Sequence, residues 1–477
     1  MQADVPLLTS PFRWTNHPLV DMGIASLVAF AKKNTPEEIT SSDVEAFATY
    51  AETAYFSPEI ASYLSVLFTS NFLNPSFSAE KKKQFVKTVL RSYQSNPDSS
   101  LPPCAYCGSA SVRRAHRDLI PMLTGREHVN FSPNGTPGLA LCGNCIVALQ
   151  ALSIGSPMCS GRSLVVSCDD PAFVVALVKA WQPEIRKRIQ LSEQSGQKLS
   201  PITRPLTRTI EALAKIEAER ETSPSITVYH LSNSGQGPQV DIFFLPSSVV
   251  RFVQRANAAN YSPTWKEVVR RAWDFPPKPQ KGKASVDEKK AARNYLYEDL
   301  FALPDRSGSF VRTYFLRKST RFARAPGDPR SNYSGWQDYV PGLWNLTGLF
   351  LQEVMAMESD RIEAIRKLGD ALADEIATEN DRRLWWAAYK ADAYRQARLA
   401  LIQVSQRRVK RGSPPVVSLD DFLEVFEEGE ELPRVDWRLA WDLVLIRVIE
   451  RLYETKWFDK NRDVLGDEEK EPEMEEA

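Results

Sequence analysis

Histidine is scarce in this chain, with four in 477 residues: His17, His116, His128 and His230. Imidazole-based catalytic constellations therefore have little material to draw on. The chain also lacks GxxxxGK[ST], GxSxG and HExxH, so no phosphate-cradling loop, nucleophile elbow or helical zinc-protease pair is spelled out. No run approaches the ~20 apolar residues of a membrane span. The best candidate, "PLVDMGIASLVAFA", is broken by Asp21, and neither a basic region nor a cleavage site makes it a signal peptide. Cysteine is sparse too, at six residues, yet four of them form two CxxC pairs. That clustering points to a bound metal in a reducing compartment rather than to disulfides, and the expected location is the cytoplasm.

Net charge is absent as well: 60 Lys and Arg balance 60 Asp and Glu. The distribution is uneven. Residues 251–330 hold 18 cations against 8 acids, and the tail 466–477, "GDEEKEPEMEEA", holds seven acids and one lysine. A basic middle with an acidic end suits a polyanion-binding surface beside a solvated terminus. Paired acids such as Asp420 and Asp421 read as ordinary surface charge.

Apolar spacing predicts a buried helix over 18–31, with Asn16 available as its cap, and further helices around 42–70, 79–93 and 171–194. "RSLVVSC" (162–168) reads as a short buried strand, and "SITVYHLSNSGQGPQVDIFFL" (225–245) as a hairpin with a polar, glycine-rich turn. "FPPKPQKGKAS" (275–285) has the composition of a linker. Beyond residue 341 two stripes dominate: Ile362, Ile365, Leu368, Leu372 and Ile376, then Trp437, Trp441, Leu445, Val448 and Leu452. Trp385 and Trp386 read as helix–helix contacts. The fold class expected is α+β. A mixed α/β N-terminal domain over 1–340 carries a four-cysteine zinc module at about 101–150 and the hairpin at about 225–245, and an all-α helical bundle follows over 341–477.

Cys104-x2-Cys107 and Cys142-x2-Cys145 stand 34 residues apart. Each pair forms a knuckle that offers two thiolates to one ion, and "CAYCG" supplies a glycine where that turn needs one. Two knuckles complete a tetrahedron with no open position for water, so the cofactor expected is one structural zinc per chain. Cys159 and Cys168 lie in apolar surroundings and read as buried thiols. The module is also similar to an HNH nuclease, in which a histidine between the knuckles activates water beside a second metal. His116 is the matching histidine. It follows Ala115 where an acid would help, and "IVALQALSIGS" after Cys145 lacks the asparagine and histidine of that active site. An HNH-like zinc-containing nuclease is therefore the alternative reading, and a zinc-containing nucleic-acid adaptor a third.

"FRWTNHPLVDMGIASLVAFA" (12–31) resembles the opening of the large subunit of type I-B CRISPR effector complexes, the Cascade surveillance machinery. Thr15, Asn16, Pro18, Val20, Asp21, Gly23, Ile24 and Ala25 stand where that signature expects them; His17 and Leu19 depart from it. The two CxxC knuckles, "NSGQG" with the following "FFLP", and "DRIEAIRKLGDALA" (360–373) are further similar stretches in the same order, spanning roughly 12–410. The resemblance implies a non-catalytic subunit that reads the protospacer-adjacent motif on duplex DNA and helps open it. It then recruits a helicase-nuclease or a transposition machinery. The partners it implies are guide RNA, target duplex, the displaced single strand and the other Cascade subunits, with no membrane.

Under that resemblance the hairpin tip is the motif reader: Asn233, Ser234 and Gln236 offer groups for base edges, and Gly235 and Gly237 allow close backbone approach. Backbone contacts fall to Arg251, Arg255, Arg270, Arg271, Arg312, Lys318, Arg321 and Arg324. Aromatics interleave with them (Trp265, Trp273, Tyr314, Phe315, Phe322), as single-strand binding wants. Arg395, Arg398, Arg407, Arg408, Lys410 and Arg411 would line a second positive face. The family's small helical subunits commonly arise by internal translation. Met355 or Met357 is placed to start one here, and a start at Met357 gives 121 residues.

Overall fold

The computed structural model describes residues 11–68, 76–123, 138–200, 203–216, 223–233, 237–275, 291–318, 328–428 and 432–470. It divides into two compact units, Met1–Gln254 with Phe275–Arg293, and Arg255–Asp274 with Asn294–Ala477.

The first unit opens with α1 (Pro18–Phe30). Proline at its first turn carries the φ that a helix needs and loses no bond there. Thr15 donates from its amide and hydroxyl to the Asp21 carboxylate at 2.7 and 2.8 Å, which fixes the approach of the chain. Asn16 is not the cap that the sequence suggests. It occupies the left-handed region at φ 61°, and extended His17 precedes the first turn instead. Helices α2 (Ser41–Ala54), α3 (Pro58–Leu67) and α4 (Ala79–Leu90) follow; Thr40 and Asp43 form a reciprocal capping box at the start of α2.

Two short strands, β1 (Arg113–Ala115) and β2 (Leu139–Leu141), pair antiparallel and lead into α5 (Gly143–Gly155), every residue of which is buried. α1 crosses α5 at backbone distance. A Cβ on Gly23 would stand 1.9 Å from the Ala148 carbonyl oxygen, and one on Gly155 would stand 2.0 Å from Ser26 Oγ. Small residues at both points let apolar faces close without a gap.

A four-stranded antiparallel sheet follows, in the order β3 (Met158–Cys159), β4 (Arg162–Cys168), β5 (Ile226–Ser232), β6 (Gln239–Leu245). The β5–β6 hairpin forms as expected, with Ser232 opposite Gln239 and Ile226 opposite Leu245. α6 (Pro171–Ser195) and α7 (Pro205–Leu213) lie between β4 and β5 in the chain, and α8 (Ser247–Ala256) follows β6.

The second unit contains α9 (Ser262–Arg270), α10 (Tyr295–Asp299), α11 (Ser307–Phe310), α12 (Leu343–Met355), α13 (Ser359–Glu379), α14 (Arg382–Lys390), α15 (Tyr394–Lys410), α16 (Leu419–Phe426), α17 (Trp437–Glu454) and α18 (Trp457–Lys470). Most of each expected stripe faces inward: Ile365, Leu368, Leu372 and Ile376 of α13 are buried, as are Trp441, Leu445, Val448 and Leu452 of α17, the helix α13 packs on, whereas the leading residues Ile362 and Trp437 are only half-buried. Trp385 is buried against Tyr389 and Phe458.

The unit does not begin at residue 341 as expected. Phe310 stacks on Phe350 at 5.3 Å, Phe315 meets the same ring edge-on at 5.5 Å, and Trp336 stacks on Phe458 at 5.7 Å. These aromatics draw their segments, before residue 341, into the helical core. A two-residue antiparallel ladder, Glu427–Glu428 with Leu432–Pro433, lies among the helices. No helix among the described residues is long and apolar enough to cross a membrane.

Replacing Gly23 with alanine should force α1 and α5 apart. We expect a loss of about 2–4 kcal/mol in denaturant unfolding, whereas exposed Ala79→Gly on α4 should cost about 1 kcal/mol or less.

Candidate metal centre

The first knuckle is a tight turn. Cys104 N–H donates to the Ser109 carbonyl at 2.7 Å and Gly108 N–H to the Cys104 carbonyl at 2.8 Å. Gly108 has φ +70°, which is why the sequence places glycine there. Ala105 N–H reaches the Ala140 carbonyl at 2.9 Å, joining this turn to β2. The second knuckle is the start of α5. Cys142 is the extended cap, and its sulfur accepts the Cys145 N–H at 3.4 Å. A thiolate here also lies at the positive end of the helix dipole. Gly143 is needed for space: an added Cβ would stand 2.0 Å from the Ser92 carbonyl oxygen.

The four sulfurs lie within 4.8 Å of one another, and Cys107 and Cys142 approach to 3.5 Å. A zinc tetrahedron with bonds of about 2.3 Å has sulfur–sulfur edges of about 3.8 Å. The donor set therefore fits one four-coordinate ion. Contacts with Cys104, Cys142 and Cys145 hold the Cys107 thiol far below its ordinary range, while contacts with Cys104, Cys107 and Cys142 push Cys145 up. Four thiols compressed this closely compete for protons, and a divalent cation that displaces them relieves the competition. Cys159 and Cys168 stand apart; burial pushes each up to about 12, and Cys168 donates to the Asp170 carbonyl at 2.9 Å.

Two further contacts brace the first knuckle. Arg13 donates to the Cys107 carbonyl at 2.6 Å and to Ser109 Oγ at 3.1 Å, and the rings of His17 and Tyr106 meet at 4.5 Å. Sequence reading missed both, because the partners are about ninety positions apart.

His116 follows β1 and is not part of the cage. Its carbonyl accepts from Leu119 and Ile120, and its ring faces Gly138, where a Cβ would stand 2.7 Å from Cε1. His128 lies outside the described residues. Among the described residues, the four cysteines are the one group of three or more His, Cys, Asp or Glu side chains that could share an ion.

The nucleic-acid residues read from sequence fare unevenly. Asn233 is 2% exposed; its amide donates to the Leu123 carbonyl at 3.0 Å and its backbone N–H to the Val66 carbonyl at 2.6 Å. It ties down the base of the hairpin and is not presented for base reading. Ser234 and Gln236, like Arg321 and Arg324, lie outside the described residues.

Several cations are engaged within the protein. Arg312 binds Asp442 at 2.8 Å, Lys318 reaches Asp392 and the Tyr389 carbonyl, and Arg271 bridges Glu267 and Asp338. Arg255 pairs with Glu353, Arg408 with Glu375, Arg407 with Asp381 and exposed Arg270 with Glu267. Arg251 on α8 is half-buried. Trp265, Tyr314 and Phe315 are each 1% exposed, so these rings belong to the core and offer no stacking platform. Arg395 and Arg398 are exposed, with no ion pair among the described residues.

No protein-family model matches the chain, and no curated protein matches it.

Two outcomes check these assignments. Purified protein should carry about one zinc per chain by elemental analysis, and Cys107→Ser or Cys142→Ser should lower both metal content and melting temperature. Arg312→Ala should cost about 3–5 kcal/mol by stranding the buried Asp442 carboxylate, whereas Arg398→Ala should leave stability within about 0.5 kcal/mol.

Proposed function

We propose that this protein is a non-catalytic recognition subunit of an RNA-guided complex of the type I-B CRISPR kind. It grips nucleic acid around a metal-stapled scaffold and recruits a downstream effector. The observation that supports the non-catalytic part is the thiol cage: four sulfurs within 4.8 Å of one another supply a full set of four ligands, and a four-coordinate ion held by them would have no position open to water or substrate. Its ion is a structural zinc that locks the knuckle, the β1–β2 ladder and the start of α5 together.

The RNA-guided part rests on the order of the resembling stretches. The "TNHPLVDMG" segment also has a physical role in this chain: Thr15 and Asp21 fix the entry to α1, and Gly23 makes the crossing with α5.

Grip on the phosphate backbone falls to α14 and α15. Arg382, Arg383, Arg407, Lys410 and Arg411 line a cleft of about 620 Å³ that contains only two acids, Glu379 and Asp381. Arg382, Arg383 and Lys410 are exposed and carry no ion pair among the described residues. A surplus of mobile cations is what phosphate contact requires, and base pairing by the guide then supplies sequence. The partners are guide RNA, target duplex with its displaced strand, companion subunits of the complex, and a helicase-nuclease or transposition adaptor. The compartment is the cytoplasm.

The test is co-purification. Protein produced with its companion subunits should retain a discrete RNA of about 60 nucleotides and bind duplex DNA only with that RNA. Changing Arg382, Arg383 and Lys410 to glutamate should flatten the log–log salt dependence of binding by about 2–3 units. Metal-supplied protein that cleaves DNA alone, and loses cleavage on His116→Ala, would replace this reading with the HNH-like nuclease.

A further inference from the structure

Between Arg382 and Leu419 the chain carries nine lysines and arginines and a single acid, Asp392. That acid lies in the short link between α14 and α15. Three cations from elsewhere in the second unit converge on its Oδ1: Arg312 at 3.3 Å, Lys318 at 3.4 Å, and Arg438. They stand 80, 74 and 46 positions away in the chain, so the fold and not local sequence gathers them.

The acid is the outer member of the group. Its side chain is 47% exposed, against 18% for Arg312, 14% for Lys318 and 29% for Arg438. The second acid of the cluster, Asp442, is 2% exposed and lies 2.8 Å from Arg312. Three cations thus face two acids, and one of the two acids stands at the surface.

Each cation has an anchor other than the Asp392 carboxylate. Arg312 is held by Asp442. Lys318 donates to the Tyr389 carbonyl, and its ammonium lies 5.1 Å from the centre of that ring. Arg438 donates to the backbone carbonyl of Asp392. That backbone is itself fixed, because Gln396 Oε1 accepts the N–H groups of Asp392 and Ala393 at 2.8 and 3.1 Å. Rotation about the side-chain bonds of Asp392 would therefore carry its carboxylate away and leave the cations in place. Donors held before a ligand arrives lose little freedom when it binds.

The carboxylate also defines what could replace it: one negative charge spread over two oxygens. A phosphodiester offers the same charge on two non-bridging oxygens, and arginine meets both groups with the same donors. Exposed Lys390 and Arg395, on either side of Asp392 in the chain, add to the positive field.

We propose that Arg312, Lys318 and Arg438 form a phosphate-binding site that Asp392 closes, and that an incoming phosphate group displaces the Asp392 carboxylate. The cleft lined by Arg382 and Arg383 belongs to the opposite end of α14. The proposal needs only a phosphate group and not the RNA-guided reading, so co-purified RNA tests one and the variants below test the other.

At about 50 mM NaCl, Asp392→Asn should bind a single-stranded oligothymidylate at least about tenfold more tightly than wild type. Its log–log salt dependence should steepen by about 1–2 units, because Lys318 and Arg438 lose their acid while Arg312 keeps Asp442. D392N/R438Q should lose the gain. Asp374→Asn removes a comparably exposed acid from its pair with Arg451 and should bind like wild type. Inorganic phosphate at about 10 mM should raise the melting temperature of D392N above that in chloride of equal ionic strength, and wild type should respond less. D392S, which keeps a hydroxyl acceptor for the cations, carries the same expectations should D392N fold poorly. A response to inorganic phosphate without a gain in oligonucleotide binding supports the site and assigns it to free phosphate instead of a strand. If both variants of Asp392 gain neither, or D374N gains as much, the proposal is overturned and Asp392 is an internal ion-pair partner only.

Discussion

The first unit is held in place by α5, which meets two demands along its length. Its N-terminus presents Cys142 and Cys145 to the cage, and its body crosses α1 so closely that the Ala148 carbonyl occupies the space a Gly23 Cβ would need. Neither contact tolerates translation of the helix. The cage fixes α5 along its axis, and the glycine crossing fixes it laterally. Arg13, just before α1, then returns to the Cys107 carbonyl, closing a circuit from cage to α5 to α1 and back to the cage. Metal binding in such an arrangement is folding free energy for the elements around it, because the unfolded chain has no preformed site.

A similar constraint governs charge. Much of the basic stretch read from sequence as a polyanion surface is engaged inside the second unit. Arg312 offsets the buried carboxylate of Asp442, which burial pushes upward in pKa while Arg312 and Arg438 oppose that shift. Arg330 bridges Asp299 and Asp328, and Arg271 spans Glu267 and Asp338. Such cations hold the segments before residue 341 against the helical core. Removing one leaves a desolvated acid, so their substitution reports on folding before it reports on binding. On α14 and α15, exposed Arg382, Arg383, Arg395, Arg398 and Lys410 carry no such pair among the described residues.

Local chemistry explains which features the sequence made legible. The cysteine pairs, the strand at 162–168 and the 225–245 hairpin are encoded within a few residues by spacing, alternation and turn type, and each formed where expected. Asn233 was misread because turn residues and ligand-reading residues share a vocabulary; its burial depends on Leu123 and Val66, far away in the chain. The boundary near residue 340 was misread for a related reason. The regular helical stripes begin only after 341, but Phe310, Phe315 and Trp336 find their partners at Phe350 and Phe458. Aromatic clusters carry no periodicity that announces which unit they will join. Arg13 is the plainest case, a single cation whose acceptor is 94 positions distant.

The break between α12 and α13 bears on whether the C-terminal helices form a separable body. α12 ends at Met355, Ala356 turns left-handed at φ 50°, and α13 begins at Ser359. A product starting at Met357 would thus begin in a natural gap and keep the whole α13–α17 seam, with Gly369 still admitting Arg447 against α13. It would lose α12 and Trp336, however, and with them the ring stacked on Phe458 and the carbonyl that accepts the Tyr453 hydroxyl. Phe458 would keep Trp385, Tyr453 and Trp457 but lose the Trp336 ring on one side, and Tyr453 would lose the acceptor of its hydroxyl. An aromatic surface exposed in this way favours association, so such a product would be stable chiefly in company.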